Sequence, residues 1–380
     1  MIRVGIVGLG KMGLSHLSIV RAHANVEVVG VCDSSNFILD VLGKYTGVRT
    51  YSDLDSMLEA EQLDAAVIST PSKFHAAMVR SCLERGIHVF CEKPFCLDPE
   101  ESFALAELAR KKGLVTQVGY HNRHVGAFAE VKRLLDIGAL GEVTHILGES
   151  YGPVVLKPKG STWRSRKDEG GGALYDYAAH PADLMTWYLG RPSSVSGTVL
   201  GRVFSAETED EVFTTLRWPS GQSGQLSVSW SDESQRKMTT RISLWGTNGK
   251  IFVDRQELQI YLRDDRSASE GYSKGWSVRY TTELTGEVDF YVRGEEYSAQ
   301  IDAWVRRIET QAMQGLSDFS EASITDELLY AIANSDDGSV RTLGQPPAPT
   351  IRMRPLRRSS AASRLGLRLR SFSKRNRGVQ

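Results

Sequence analysis

The chain has 380 residues, 41% of them apolar and 24% charged, with 46 Lys and Arg balanced by 46 Asp and Glu. That size and composition suit two folded domains whose cores need neither disulfides nor a metal. No run of about 18 apolar residues occurs, so a membrane-spanning helix is not expected, and the glycine-broken start lacks the pattern of a signal peptide.

Residues 2–7 are β-branched and apolar and read as a buried strand. Gly8-Leu9-Gly10-Lys11-Met12-Gly13 follows, then a helix over 14–22 and a second strand over 26–32 that ends at Asp33. Strand, glycine turn, helix and strand make one parallel unit with a right-handed crossover. Helices over 54–60, 74–85 and 99–112 then alternate with strands over 65–69, 87–91 and 115–118. Such alternation predicts a doubly wound α/β domain, a Rossmann fold, over residues 1–120.

Past residue 121 the pattern changes. After a helix near 127–135, strands are expected over 195–202, 211–218, 225–231, 238–245, 250–254 and 258–262, with turn signals such as Pro219-Ser220-Gly221 between them. Strands joined by short turns predict an α+β domain over 121–343, built on an open, mostly antiparallel sheet. Helices over 296–311 and 321–334 close it, and Pro346, Pro347 and Pro349 lead into a basic tail within 344–380. From 351 to 380 there are ten basic residues and no acidic one. The tail reads as a disordered, solvated end, with an anionic surface as its alternative contact. No groove-reading motif accompanies it, so nucleic acid is not an expected partner.

The glycine motif has the context it needs. Gly8 permits the tight turn, Gly10 lets the backbone approach a pyrophosphate, and Gly13 lets helix and strand pack closely. The phosphates would sit at a helix N-terminus. Asp33, 20 positions beyond the last glycine, would accept hydrogen bonds from an adenine ribose diol. No arginine follows it to clamp a 2′-phosphate, so NAD is expected over NADP.

Two further segments carry chemistry. Cys91-Glu92-Lys93-Pro94 lies at the ligand-binding end of an expected strand. Gly170-Gly171-Gly172 leads to Asp176 and His180, which on a helix are i and i+4 and share a face. A histidine suits general base work on an alcohol, a lysine would stabilise alkoxide charge, and a carboxylate would orient the base. Cys32, Cys82, Cys91 and Cys96 form no C-x-x-C pair and no histidine spacing completes a zinc pattern, so they read as free thiols of a cytoplasmic protein, with no metal expected.

The chain resembles the family of glucose–fructose oxidoreductase, inositol dehydrogenase and rhizopine catabolism proteins. The resemblance rests on the glycine motif, Thr70-Pro71 with His75, Glu92-Lys93-Pro94, Asn122-Arg123, the glycine run with Asp176 and His180, Gly246-Thr247-Asn248-Gly249-Lys250, and residues 334–343. It implies Lys93, Asp176 and His180 as the catalytic set. It places Gly8, Gly10, Lys11, Met12, Gly13, Asp33, Thr70, Pro71, His75, Glu92, Lys93 and Asn122 about the cofactor. Arg123, Tyr151, Trp163 and Arg164 are expected on the substrate side. It implies hydride transfer between NAD and a secondary alcohol or ketone of a sugar, polyol or nucleotide-linked sugar, in a homo-oligomer. The competing readings are a non-catalytic dinucleotide sensor and an enzyme that recycles a captive NAD.

Overall fold

Strand β1 (Ile2–Val7) and helix α1 (Lys11–Ala22) open the chain, followed by β2 (Val26–Cys32), α2 (Asn36–Thr46), β3 (Arg49–Tyr51), α3 (Leu54–Ala60), β4 (Ala65–Ile68), α4 (His75–Glu84), β5 (His88–Cys91), α5 (Pro99–Lys112) and β6 (Thr116–Val118). This is a computed structural model, and it describes residues 1–155, 163–335 and 339–343. The six strands form one parallel sheet in the order β3-β2-β1-β4-β5-β6. All four residues of β4 are fully buried, as a strand covered on both faces requires. Helix ends follow local chemistry. Asp98 caps α5 by accepting the Glu100 N–H, Pro99 takes the first turn, and Gly113 ends the helix with φ 66°. The strand order reverses between β1 and β4, where sheets of this type open a ligand crevice.

Next come α6 (Gly126–Asp136), β7 (Val143–Tyr151), a π-helical turn over Leu174–Ala178, α7 (Ala179–Leu189), β8 (Ser194–Gly201), β9 (Glu211–Arg217), β10 (Ser223–Ser229), β11 (Arg241–Gly246), β12 (Gly249–Val253), β13 (Glu257–Leu262) and β14 (Gly275–Tyr280). Helices α8 (Thr281–Leu284), α9 (Glu295–Thr310) and α10 (Phe319–Ala333) and strand β15 (Arg341–Thr342) complete the described chain. The second sheet has nine strands in the order β14-β13-β12-β11-β7-β10-β9-β8-β15, antiparallel except where β7 meets β10. One face packs on α7; a Cβ on Gly148 of β7 would approach Met185 Sδ to 2.6 Å. The other face carries Trp245, Phe252, Tyr261 and the exposed Trp276.

The structure departs from the expectations at several elements. Strand β7 was not anticipated, although it sits mid-sheet; its Thr, His, Gly and Glu give little apolar signal. Helix α2 and strands β3 and β14 were also unread. Helix α1 begins at Lys11 rather than 14, so the last glycine of the motif lies inside it. Helix α9 does not stay with the second sheet: its Ile301, Trp304 and Val305 share a core with Val4, Ile6 and Leu17 of the first. The four cysteines are free and buried, and burial pushes the Cys32 and Cys82 thiols up to about 12. Among the described residues no helix is long and apolar enough to cross a membrane. The basic tail lies outside the described residues.

Candidate active site

The phosphate end of the crevice is built by β1 and α1. Gly8 has φ +84°, and a Cβ there would come within 2.8 Å of the Ser69 carbonyl carbon. A Cβ on Gly13 would run into the Gly8 carbonyl oxygen, so helix and turn touch backbone to backbone. Beside Gly10 lies open space. Gly10 caps α1 without a side-chain hydrogen bond and the first turn holds no acid, so the leading N–H groups and the positive end of the helix are left for an outside anion. At the far end Asp33 accepts the Leu9 N–H at 2.6 Å and the Ser35 N–H at 2.8 Å, one on each carboxylate oxygen. Each oxygen keeps a second lone pair for a diol. These features fit a dinucleotide.

The chemical end lies where β5 stops. Lys93 Nζ donates to the Asp176 carbonyl at 2.8 Å and to its Oδ1 at 3.0 Å. Arg164 Nε donates to Asp176 Oδ2 at 2.8 Å. Burial alone would raise the Asp176 carboxyl, but Lys93 and then Arg164 hold it below the usual range. Asp176 lies in the π-helical turn and His180 follows in α7, so the uniform α-helix assumed for the pair is broken between them. No hydrogen bond joins Asp176 to His180 among the described residues; each carboxylate oxygen is held by a cation and keeps a second lone pair. His180 is 4% exposed, its Nδ1 is buried with no partner among the described residues, and burial, Lys93 and Arg255 together hold its pKa well below the ordinary value.

Glu92 is buried beneath the phosphate helix. Its Oε1 accepts from His16 Nε2 at 2.7 Å and its Oε2 from the Lys93 N–H at 3.1 Å. Burial favours the neutral acid, yet His16 and Lys93 keep it ionised. This pair ties α1 to the loop that carries Lys93. Asn122 is buried, with Oδ1 accepting from Arg255 at 3.3 Å and Nδ2 with no partner among the described residues.

Other expected residues are placed elsewhere or otherwise employed. His75 is fully buried; Nδ1 faces the Pro94 and Phe95 carbonyls and Nε2 the Thr70 carbonyl. It pins the 70–71 loop to the 94–95 loop and has no nitrogen left for a cofactor. Arg123 is 1% exposed, forked onto Asp183 at 2.7 and 3.0 Å, ion-paired with Glu321 and stacked over Trp187. It is an interior strut, with its guanidinium engaged by these protein partners. Tyr151 bonds Ser227 at 2.8 Å on the open face of the second sheet, away from α7, because alternate residues of β7 face opposite ways. The side chain of Trp163 lies outside the described residues.

Sequence reasoning missed His16, His121, Arg255, Tyr297 and Arg293. His16 had a signal, a histidine on the inward stripe of α1 with Gly13, Leu17 and Val20. His121 contacts His180 edge-on at 5.1 Å and stacks on Tyr297 at 4.6 Å. Arg293 lies over Tyr297 and donates to Ser15 Oγ of α1 at 2.7 Å. These residues meet across about 280 positions of sequence, and no local pattern predicts that.

Two family descriptions match the chain, an oxidoreductase family with an NAD-binding Rossmann fold over residues 2–120 and the GFO/IDH/MocA C-terminal domain over residues 128–252. Among relatives, the chain is 28% identical over 259 residues to scyllo-inositol 2-dehydrogenase (NAD(+)) of Bacillus subtilis (strain 168), covering 66% of this chain and 73% of that protein. It is 27% identical over 313 residues to inositol 2-dehydrogenase of Rhizobium meliloti (strain 1021), covering 79% and 90%. Among solved structures, a levoglucosan dehydrogenase complexed with NADH and levoglucosan superposes with a TM-score of 0.78 at 22% identity, over 90% of this chain and all of the other.

Proposed function

The chain belongs to the GFO/IDH/MocA family of NAD-binding oxidoreductases, and on that premise we propose that Lys93, Asp176 and His180 serve hydride transfer at a secondary alcohol or ketone of a sugar or polyol. The observation that carries this reading is the Lys93–Asp176 contact at 3.0 Å beside the neutral His180, at the strand end where the dinucleotide crevice opens.

We take residues 1–120 as the cofactor unit and 121–343 as the substrate unit. Gly8, Gly10, Lys11, Met12 and Gly13 would hold the pyrophosphate of NAD and Asp33 its adenine ribose, with Thr70, Pro71, Glu92 and Asn122 nearer the reacting end. The bound nicotinamide supplies a hydride acceptor or donor. Lys93 presents its ammonium to the reacting oxygen and stabilises alkoxide charge. Asp176 holds that ammonium in place and accepts from a neighbouring substrate hydroxyl. His180 is kept neutral, so in the oxidative direction it has a lone pair ready for the hydroxyl proton; with Nδ1 sealed off, Nε2 is the nitrogen that takes it. Lys93 and Arg164 share the one Asp176 carboxylate. The names of the two inositol dehydrogenases and of the levoglucosan complex support the same substrate class. A cytoplasmic setting belongs to the same reading.

The test is the near-ultraviolet absorbance of NADH formed from NAD with a panel of polyols, free sugars, sugar phosphates and nucleotide sugars. Turnover is expected with one class and should fall about 100-fold or more in Lys93→Ala. NAD binding by calorimetry with silence across the panel would favour a sensor or a captive-cofactor enzyme instead.

A further inference from the structure

Behind His180 stands a constellation that hydride transfer does not itself use. Arg255 follows β12 and crosses from the second sheet toward the crevice. One terminal nitrogen is ion-paired with Glu296 of α9. The other lies 2.9 Å from His121 Nε2 and 3.3 Å from Asn122 Oδ1. A guanidinium has N–H donors and no acceptor. His121 Nε2 must therefore present its lone pair, which leaves the ring proton on Nδ1. Protonating Nε2 would set an N–H against the guanidinium. His121 is thus a neutral ring of one tautomer. Tyr297 stacks on it with an 18° tilt, and the His180 ring meets it at 69°.

We propose that Arg255 is a positioning residue for His180, acting through His121: it fixes the tautomer and plane of the ring against which His180 is seated. The relevance to turnover rests on the reading of His180 as acid/base; the seating does not. The charged and titratable groups around His180 come from five places. Lys93 comes from the end of β5, His121 from the segment after β6, and Arg255 from the turn after β12. Tyr297 and Glu296 stand behind them on α9. Asp176, on the turn preceding α7, has both oxygens engaged by Lys93 and Arg164. Burial and the two cations facing it, Lys93 and Arg255, disfavour protonation of His180. Loss of Arg255 removes one of those cations and releases the Glu296 carboxylate.

The test uses the full-length protein without substrate. Ring nitrogen and carbon-bound proton shifts of the histidines are followed by NMR across a pH titration. In the wild type His121 should appear as a neutral Nδ1–H ring at neutral pH. In Arg255→Met it should become a mixture of tautomers, and His180 should titrate about one pH unit higher. Arg255→Lys keeps donors only, with the charge; it should retain the single tautomer and leave the His180 titration as in the wild type. Unchanged tautomer and titration in Arg255→Met overturn the proposal. Should that variant not fold, an Nε2–H or charged His121 in the wild type overturns it equally. None of these readouts needs turnover, so an enzyme silent with every substrate would count against the acid/base reading and leave the seating intact.

Discussion

A histidine sealed inside a protein resists its proton, and that resistance appears as acid sensitivity. His124 is the plainest case: its Nε2 is buried with no partner among the described residues, and its pKa is lowered from 6.5 to about 4 by burial first and by Arg123 second. At pH 7 the folded chain leaves it neutral and the unfolded chain mostly does, so its linkage effect there is small. Between 6.5 and about 4 the unfolded chain binds a proton that the folded one refuses. Its contribution is therefore complete above the unfolded pKa and is lost as pH falls. Urea unfolding at pH 7 and pH 5 should show the wild type losing about 2 kcal/mol more than His124→Asn over that interval. Equal losses in the two proteins would mean that His124 takes up its proton in the folded state. This placement is invisible in the sequence, where His121 and His124 flank Asn122-Arg123 and look like surface cations beside a motif.

At the scale of elements, what the sequence revealed and what it hid have different physics. Parallel strands buried on both faces are continuous apolar runs, and glycines and caps punctuate them, so β1, β4 and β5 and the helices α4 and α5 were read nearly to their ends. Strand β7 alternates inward Ile146 and Gly148 with outward His145 and Glu149, and its small inward residues left almost no signal. The glycine turn and the approach of Lys93 to Asp176 were legible as short motifs, and the structure brings that pair within 3.0 Å. Arg123 shows the limit: a motif marks a position and does not say which way it faces. Here it joins the segment after β6 to α7 through Asp183 and to α10 through Glu321. Arg123→Met should leave the Asp183 carboxylate buried without its cation, costing about 3–5 kcal/mol of stability. If Arg123 bound substrate instead, the variant would keep its unfolding midpoint and lose substrate affinity.

For the whole molecule, one face of the nine-stranded sheet is uncovered among the described residues. Alternation along each strand sends Leu147, Trp245, Phe252, Tyr261 and Trp276 to the side opposite α7, with Lys250 lying over both Phe252 and Trp276 at 5.1 Å. Trp276, Val278 and Tyr280 are 54%, 45% and 52% exposed on β14, which is also an edge strand. Aromatic residues in such numbers are costly to leave in water, and an open strand edge adds unpaired backbone groups. We therefore propose that the oligomer expected from the resemblance forms here, by pairing the same face of two copies, since closed two-fold assembly uses one patch twice. Sedimentation velocity of the full-length chain should give a dimer or tetramer, and Trp276→Glu should shift it toward the monomer. NADH affinity should hold in that variant, because Gly8, Gly10, Gly13 and Asp33 lie on the other sheet. A wild type that sediments as a monomer at micromolar concentration would refute the pairing. A Trp276→Glu oligomer as tight as the wild type would move the interface to another surface.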